Sequence, residues 1–458
     1  MILFMENKLI HYKPKGGNLG DCFPLYVNGK YYIYYLNLKD DGTFVYSLII
    51  TRDLVNILFE GDVLFPGNSD SYDQTLLSGC IYYDGAIFHA YYSSYGKNMR
   101  YNIMEAISTD GINFTKCNKI LFEPNKYYEK LDTWRDPEIY YENGIYHMLF
   151  CAKENLPLNN MYTGCVGYAT STDLKTWNLK KPLYRPRNCS TVECPDLLKL
   201  DGKYVLSYYW HDTKYRVSNT MKNFKRNSIT SPTNFDFMAA KAMQDEMRTI
   251  EVGWIPRKSC DCSERMWGGN LAIPKEIYFN KKGQLASKFI DEIYNVFSTP
   301  VPVSFTELNG KYNEGMITLK NKSSLFILNN KLANYYLNTT INGKNKNTLM
   351  ILFVKYAFDS ESNSHNGYQI ILDFYQKRLF IREQYRWDQR PDLASIGFET
   401  TNNKLTLEMI VNDDIIEIVL NKETSLTYRM TKHLSNTGLG ISAQESNVFL
   451  ENFKIFIK

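Results

Sequence analysis

Short runs of alternating apolar and polar residues, rich in tyrosine and β-branched side chains, recur along the chain. Such runs are typical of β-strands. Four pairs of these runs are joined by Asn-Gly or Asp-Gly, which favours a type I′ turn, and each pair therefore predicts a β-hairpin. The four turns begin at Asn28, Asp84, Asn143 and Asp201.

The spacing of these turns is nearly constant, at 56, 59 and 58 residues. A period above fifty residues that is filled with strand pattern indicates a radial repeat, most simply a β-propeller. A fifth and less regular set of strand patterns spans residues 237–289. We therefore predict an all-β protein whose residues 8–297 form a five-bladed β-propeller.

A second repeated feature is an aspartate two residues after a serine or threonine, at Asp53, Asp110 and Asp173. Side chains in such turns accept hydrogen bonds from their own backbone. We expect these three aspartates to be structural.

The remaining third of the chain lacks the periodic hairpin. Residues 299–302, Thr-Pro-Val-Pro, are typical of a linker, and several short alternating runs follow. Strands at this spacing predict a C-terminal antiparallel β-sandwich over residues 303–458. Such a domain either binds polysaccharide or covers an apolar flank of the propeller. The lack of an exposed aromatic pattern favours the second role.

Composition excludes several function classes. The 53 basic and 49 acidic residues give a net charge of +4 without a basic block, so neither nucleic acid nor a membrane surface is indicated as a partner. The N-terminal apolar run is short and Glu6 interrupts it, so we expect no signal peptide, no membrane span and a cytoplasmic location.

Nine cysteines, an odd number, are scattered through the first 262 residues, and we expect free thiols. The close pair Cys260-Asp261-Cys262 has neither a second pair nor a neighbouring histidine, which argues against zinc. We expect no metal and no cofactor.

Three acidic residues lie at the heads of the predicted hairpins. Asp21 and Asp136 each precede the following turn by seven residues, and Glu193 precedes its turn by eight. Equivalent positions of successive blades surround one axis, so these carboxylates are predicted to converge. A single acid at such a position is more often a turn cap or an ion-pair partner, but three in phase favour a functional site.

Paired carboxylates beside a sugar-sized pocket are the usual means of glycoside hydrolysis, with one acid protonated and the other ionised. Arg135 directly precedes Asp136 and is expected to keep it ionised, which suits a residue that binds hydroxyls. Glu193 has no adjacent cation in the sequence and is the better general acid. Asp21 follows a glycine-rich turn, which suits a nucleophile or a base.

The sequence resembles glycoside hydrolase family 32, which includes the invertases, levanases and inulinases. Two motifs that are specific when they occur in this order carry the resemblance, Trp134-Arg135-Asp136-Pro137 and Glu193-Cys194-Pro195-Asp196. Further stretches resemble family motifs at matching positions: Ser78-Gly79, residues 237–241, Gly253-Trp254 and residues 267–276. The family also carries a β-sandwich after its propeller.

The resemblance implies a retaining β-fructofuranosidase that releases terminal fructosyl units from sucrose-type or fructan oligosaccharides. Asp21 would be the nucleophile that forms a covalent fructosyl-enzyme, Glu193 the general acid and then base, and Asp136 the residue that holds sugar hydroxyls. A retaining mechanism places the Asp21 and Glu193 carboxyls about 5–5.5 Å apart.

The resemblance also implies substrate contacts for Asn18, Ser78, Arg135, Lys241 and Trp267. Trp267 would stack on the sugar, or alternatively belong to the propeller core.

One stretch departs from the family pattern. The nucleophile of the family sits in Trp-Met-Asn-Asp-Pro-Asn-Gly, whereas residues 17–24 here retain only the aspartate, Asp21. Two alternatives therefore stay open. One is an inverting arabinosidase or xylosidase similar to family 43, with carboxyls about 6.5–9.5 Å apart. The other is a non-catalytic carbohydrate-binding propeller. The sequence is compatible with a monomer or a homodimer.

Overall fold

The structure is a computed structural model that describes residues 8–129, 133–156, 163–225, 231–259, 264–328, 332–359, 364–385, 391–431 and 438–458. The Cys260-Asp261-Cys262 pair and the first seven residues lie outside these ranges. Within them the regular structure is β-strand apart from one 3₁₀ helix, Asp291–Asn295, which confirms the predicted all-β class. No helix in the described part is long and apolar enough to cross a membrane.

The strands are, in chain order, β1 (Gly17–Val27), β2 (Lys30–Lys39), β3 (Phe44–Thr51), β4 (Ile57–Leu64), β5 (Thr75–Tyr83), β6 (Phe88–Tyr95), β7 (Tyr101–Ser108), β8 (Thr115–Ile120), β9 (Arg135–Glu142), β10 (Ile145–Lys153), β11 (Gly164–Ser171), β12 (Asn178–Leu179), β13 (Glu193–Leu200), β14 (Lys203–Trp210), β15 (Asp212–Ser218), β16 (Thr233–Phe235), β17 (Met238–Gln244), β18 (Thr249–Lys258), β19 (Arg265–Leu271), β20 (Lys275–Phe279), β21 (Leu285–Phe289), β22 (Thr299–Pro300), β23 (Thr306–Asn313), β24 (Met316–Leu328), β25 (Tyr335–Gly343), β26 (Leu349–Asp359), β27 (Ser364–Asp373), β28 (Arg378–Tyr385), β29 (Ala394–Gly397), β30 (Lys404–Asn412), β31 (Ile415–Leu420), β32 (Thr424–Arg429), β33 (Gly438–Gln444) and β34 (Val448–Ile457).

The chain divides into two compact units. The first comprises the described residues of Met1–Ser231, Phe237–Arg257 and Met266–Leu285. The second comprises those of Pro232–Asp236, Lys258–Arg265 and Ala286–Lys458.

The predicted hairpins are present in the first unit. Strands β1 and β2, β5 and β6, β9 and β10, and β13 and β14 pair antiparallel across the expected turns. At Asn28-Gly29, Asn143-Gly144 and Asp201-Gly202 both turn residues have positive φ, as a type I′ turn requires. Each hairpin continues outward through β3–β4, β7–β8, β11–β12 and β15 respectively.

A fifth group of strands closes the first unit. Strand β18 pairs with β17 and β20, and β19 pairs with β1. The first strands of the five groups contact one another in a closed cycle, β1 to β5, β9, β13, β17 and back to β1. Apolar clusters fill the space between sheets that are adjacent in sequence.

Every one of these five first strands carries a β-bulge. The extra residues are Asp21 on β1, Ser78 on β5, Asp136-Pro137 on β9, Cys194-Pro195 on β13 and Ala239-Ala240 on β17. A bulge interrupts the alternation of side chains and re-aims the inserted residue. The bulges therefore bring one side chain from each strand to the same level of the cycle.

The three repeated turn aspartates are structural, as predicted. A carboxylate oxygen of Asp53 accepts the backbone N–H groups of the residues two and three positions later, at 3.0 and 2.7 Å. Asp110 and Asp173 repeat this arrangement.

The second unit is one continuous hydrogen-bonded sheet in the order β16-β32-β31-β30-β25-β34-β24-β33-β26-β27-β28-β29, with β22 on β34 and β23 on β24. Strands β16 and β32 pair parallel, the other pairings described here are antiparallel, and the inward side chains share one apolar cluster. Thr299-Pro300 of the predicted linker forms β22, and Val301 N–H donates to the Ile455 carbonyl at 2.9 Å, so this segment belongs to the sheet.

The seven described cysteines are free thiols, in agreement with the sequence analysis. In the described part of the chain, no group of three or more His, Cys, Asp or Glu side chains has an arrangement that could hold a metal ion.

Candidate active site

A cavity of about 270 Å³ opens in the first unit at the level of the five bulges. The lining includes one bulge residue from every first strand, namely Asp21, Ser78, Asp136, Cys194 and Ala239. The other lining residues are Leu36, Phe44, Leu77, Arg135, Glu193, Tyr209, Met238, Trp254 and Trp267. Six of the eight residues singled out in the sequence thus meet in one cavity.

The backbone explains how the carboxylates of the bulges reach this cavity. Asp21 and Asp136 have positive φ angles of 32° and 55°, a region that non-glycine residues seldom occupy. Such strain is retained where the surrounding structure fixes it, and it concentrates at functional sites.

Asp21 is held by two neutral donors. The Ser78 hydroxyl donates to Oδ2, and the Trp254 indole Nε1–H donates to Oδ1 at 3.1 Å. Burial raises the pKa of Asp21 to about 6, and the negative charges of Asp136 and Glu193 act in the same direction, while the two hydrogen bonds oppose the rise. Asp21 is therefore an ionised, oriented carboxylate near neutral pH that becomes protonated in mild acid.

Glu193 has a cation partner that the sequence analysis did not foresee. Arg135 Nη2 lies 2.5 Å from Glu193 Oε1, and its Nε lies 3.6 Å from Asp136 Oδ2. The sequence places no cation next to Glu193, and the fold supplies one, because the contact joins neighbouring strands β9 and β13 across 58 residues. Burial and the charge of Asp136 still raise the pKa of Glu193, and Arg135 opposes them.

Asp136 is held through both its side chain and its backbone N–H. Its side chain is buried, and Oδ2 accepts the backbone N–H of Cys194 at 3.0 Å. Its own N–H donates to Ser93 Oγ at 2.6 Å, and that hydroxyl donates to the Ser78 carbonyl at 2.7 Å. Cys194 therefore contributes a backbone donor, a role that its residue type did not suggest.

Aromatic side chains form one wall of the cavity. Trp267 stands edge-on to Phe44 with ring centroids 5.0 Å apart and is tilted against Trp254 at 5.7 Å. Gly20 is required beneath it, because a Cβ there would overlap the Trp267 indole. The Arg257 guanidinium donates to the Trp267 carbonyl at 2.9 Å and fixes the backbone.

Eight lining residues were not singled out as site residues: Leu36, Phe44, Leu77, Cys194, Tyr209, Met238, Ala239 and Trp254. Trp254 had a signal in the Gly253-Trp254 motif. Met238 and Ala239 lie in the motif at residues 237–241, and Cys194 lies in the motif that begins at Glu193. The remaining four lie on ordinary strand patterns, and only the tertiary arrangement brings them to the cavity.

Asn18 and Lys241 lie elsewhere. Asn18 adjoins Gly268, where a Cβ would meet it. Lys241 is buried, with its ammonium 2.7 Å from Glu138 Oε2. Neither residue belongs to the lining, although each lies within three positions of a lining residue in the sequence.

The arrangement combines two carboxyls of raised pKa, a third carboxylate that accepts a backbone N–H, an arginine and an aromatic wall. Groups with pKa values shifted toward neutrality can exchange protons with a substrate, and a fixed carboxylate can accept hydrogen bonds from hydroxyl groups. This set of groups suits acid–base and nucleophilic chemistry on a sugar.

Comparisons with known proteins agree in fold along the whole chain. The chain is similar to the sucrose-6-phosphate hydrolase of Lactobacillus gasseri at 18% identity, with 99% of this chain and 93% of that one covered and a TM-score of 0.73. An exo-inulinase from Aspergillus awamori gives 16% identity, coverage of 100% and 99%, and a TM-score of 0.74. Fructan 1-exohydrolase IIa from Cichorium intybus is 16% identical, with 100% of this chain and 99% of that one covered and a TM-score of 0.71.

The family relationship rests on the sequence itself. The family profile described as Glycosyl hydrolases family 32 N-terminal domain matches residues 11–288, more than half of the chain. This range contains all the cavity residues. The chain therefore belongs to glycosyl hydrolase family 32 and is a glycosidase.

Proposed function

We propose that the chain is a retaining β-fructofuranosidase, which releases terminal fructosyl units from sucrose-type or fructan oligosaccharides through a covalent fructosyl-enzyme. The observation that carries the proposal is the meeting of Asp21, Asp136 and Glu193 at one cavity, from three different first strands. The names of the structural neighbours, a sucrose-6-phosphate hydrolase, an exo-inulinase and a fructan exohydrolase, support a fructoside as substrate.

In the first step Asp21 attacks the anomeric carbon of the fructosyl unit. The bond between that carbon and the glycosidic oxygen breaks, and Glu193 gives its proton to the departing oxygen. The raised pKa of Glu193 favours the protonated form that this step needs. The Ser78 and Trp254 donors orient Asp21 and favour its ionised form.

In the second step Glu193 takes a proton from water, whose oxygen attacks the anomeric carbon and displaces Asp21. Asp136 holds sugar hydroxyls in both steps, because its geometry is fixed by the Cys194 N–H. Arg135 lies between Asp136 and Glu193 and limits the build-up of negative charge. Trp267 packs against the sugar ring.

We further propose that residues 8–297 form a five-bladed β-propeller and residues 303–458 a β-sandwich. The closed cycle of five bulged first strands supports the propeller. The single apolar cluster of the second unit supports the sandwich. The partner is an oligosaccharide substrate, the assembly is a monomer or a homodimer, and the location is cytoplasmic.

The proposal is tested by incubating the purified chain with sucrose, sucrose 6-phosphate and short inulin and levan oligosaccharides, beside the nitrophenyl arabinoside and xyloside. We expect free fructose from at least one fructoside. Glu193→Gln should reduce the rate by about 10²–10⁴-fold, the range typical of a lost general acid. Glu142→Gln is the matched control, because Glu142 is the last residue of the neighbouring first strand β9, lies outside the cavity lining and pairs with Lys199 at 2.7 Å.

Two results would contradict the proposal. Release from the pentosides alone would move the chain to the inverting alternative. No product from any substrate, together with measurable oligosaccharide binding, would favour a non-catalytic binding protein.

A further inference from the structure

Lys241 is a predicted substrate-binding residue that lies outside the cavity lining, and its charge is buried. It follows the β17 bulge by one residue, and only 2% of its surface is exposed. Its ammonium has three hydrogens to donate. The acceptors within reach are the Gly79 carbonyl at 2.8 Å, the Pro137 carbonyl at 3.4 Å and Glu138 Oε2 at 2.7 Å.

The two carbonyls belong to residues that directly follow bulge residues. Gly79 follows Ser78, whose hydroxyl donates to Asp21, and Pro137 follows Asp136. A bulge interrupts the ladder of the sheet and leaves backbone groups without their usual partners. A buried carbonyl needs a donor from elsewhere, and Lys241 supplies one to strands β5 and β9 together.

The surroundings identify the ammonium as an internal clamp. The Phe23 ring centroid lies 5.8 Å from Nζ, and Glu138 is the ion-pair partner. A buried lysine that is paired and hydrogen-bonded in this way has no donor left over for a ligand. The two carbonyls that it contacts belong to the residues directly after Ser78 and Asp136, whose side chains line the cavity.

We propose that Lys241 is a positioning residue for the reaction, which joins the β5 and β9 bulges and thereby sets Ser78 against Asp21 and Asp136 against the Cys194 N–H. The inference rests on the proposed function for its kinetic consequence. Its structural consequence is independent of the substrate. A displacement of about 1 Å at a reacting group can cost roughly 10²-fold in rate, so loss of the clamp should lower kcat.

The test uses the double variant Lys241→Met/Glu138→Gln in the full chain. Removing both charges avoids an unpaired buried carboxylate, which keeps the variant able to fold. Lys275→Met is the matched control, because Lys275 is also a buried lysine of the first unit and donates to a backbone carbonyl, that of Ile273, at 3.0 Å.

With the fructoside that the wild type cleaves, kcat of the double variant should fall about 10²-fold while its KM changes less than about threefold. The control variant should keep the kcat and the KM of the wild type. A raised KM with unchanged kcat would overturn the proposal and return Lys241 to substrate binding. Equal kcat losses in the double variant and the control would reduce Lys241 to a general structural role.

Crystal structures of the wild type and the double variant test whether Lys241 fixes the two bulges. We expect the Ser78–Asp21 and Cys194–Asp136 hydrogen bonds to be lost or lengthened in the variant, and unchanged bonds would overturn the proposal. If the wild type cleaves no fructoside, the proposed function fails, and this comparison still decides whether Lys241 fixes the bulges.

Discussion

Asp21 in the first unit and Asp236 in the second are both enclosed aspartates, but their surroundings differ. Asp236 is fully buried and has two cations as partners, Lys258 Nζ at 2.6 Å and Arg265 Nε at 3.0 Å, as well as the Arg429 backbone N–H at 2.8 Å. Asp21 has only neutral donors.

Neighbouring negative charges add to the difference between Asp21 and Asp236. Burial and the charges of Asp136 and Glu193 raise the pKa of Asp21 to about 6. A buried charge without a paired cation destabilises the folded state, whereas pairing and hydrogen bonding offset the desolvation cost of a buried charge in part or in full. This difference is what we expect if Asp21 serves the proposed chemistry and Asp236 serves the stability of the fold.

The largest expected effect separates the two aspartates by activity. Asp21→Asn removes the proposed nucleophile and should lower kcat for fructose release by about 10⁴-fold or more, a loss of the size seen when a catalytic nucleophile is replaced. Asp236→Asn should change kcat less than about threefold. A comparable loss of kcat in both variants, measured on equally folded protein, would contradict the distinction between a catalytic Asp21 and a structural Asp236.

The second effect concerns stability, and here the larger change is expected at Asp236. Asp236→Asn leaves Lys258 and Arg265 without their carboxylate, and breaking a buried ion pair costs about 3–5 kcal/mol. We expect a corresponding decrease in the free energy of unfolding in urea. A decrease below about 1 kcal/mol would show that the cations find other partners.

The third effect is a pH-dependent gain in stability for Asp21→Asn. The folded pKa of Asp21, about 6, lies above its usual 3.8, so the contribution of this acid to stability is full below about pH 4 and is lost as pH rises through about 6. Asparagine has no such loss. The variant should be more stable than wild type by about 1–3 kcal/mol at pH 7.5 and nearly equal at pH 4. A gain that persists at pH 4 would mean that charge is not the cause.

The smallest effect is a shift of the pH–rate profile. The Ser78 hydroxyl donates to Asp21 and lowers its pKa, so Ser78→Ala should raise the pKa on the acidic limb of kcat/KM by about one unit, equivalent to about 1.4 kcal/mol. Ser69→Ala is the control, because Ser69 is exposed in a loop of the same unit. An unmoved acidic limb would assign that limb to another group.

The sequence was most informative where local chemistry decides the structure. The Asn-Gly and Asp-Gly turns predicted the hairpins because these residues accept positive φ, as Asn28 and Gly29 do. The phase of the three acids relative to those turns predicted that they lie at equivalent levels.

Contacts between residues far apart in the chain could not be predicted from local sequence patterns. The pairing of Arg135 with Glu193 joins residues 58 apart, and nothing in either strand pattern encodes it. The bulge at Ala239-Ala240 shifts the register directly before Lys241, a change that a two-residue period cannot indicate. Cys194 acts through its backbone, so its side-chain type gave no signal.

The central claim is that Asp21 forms a covalent bond to the fructosyl unit. The most direct measurement is the intact mass of Glu193→Gln after incubation with β-fructofuranosyl fluoride, whose fluoride leaves without a proton, so that the intermediate forms but its hydrolysis lacks a base. We predict an added mass of one fructosyl residue, located by peptide analysis at Asp21 and absent in the Asp21→Asn/Glu193→Gln variant. Turnover without an adduct, with inversion at the anomeric carbon, or an adduct on another residue would contradict the account.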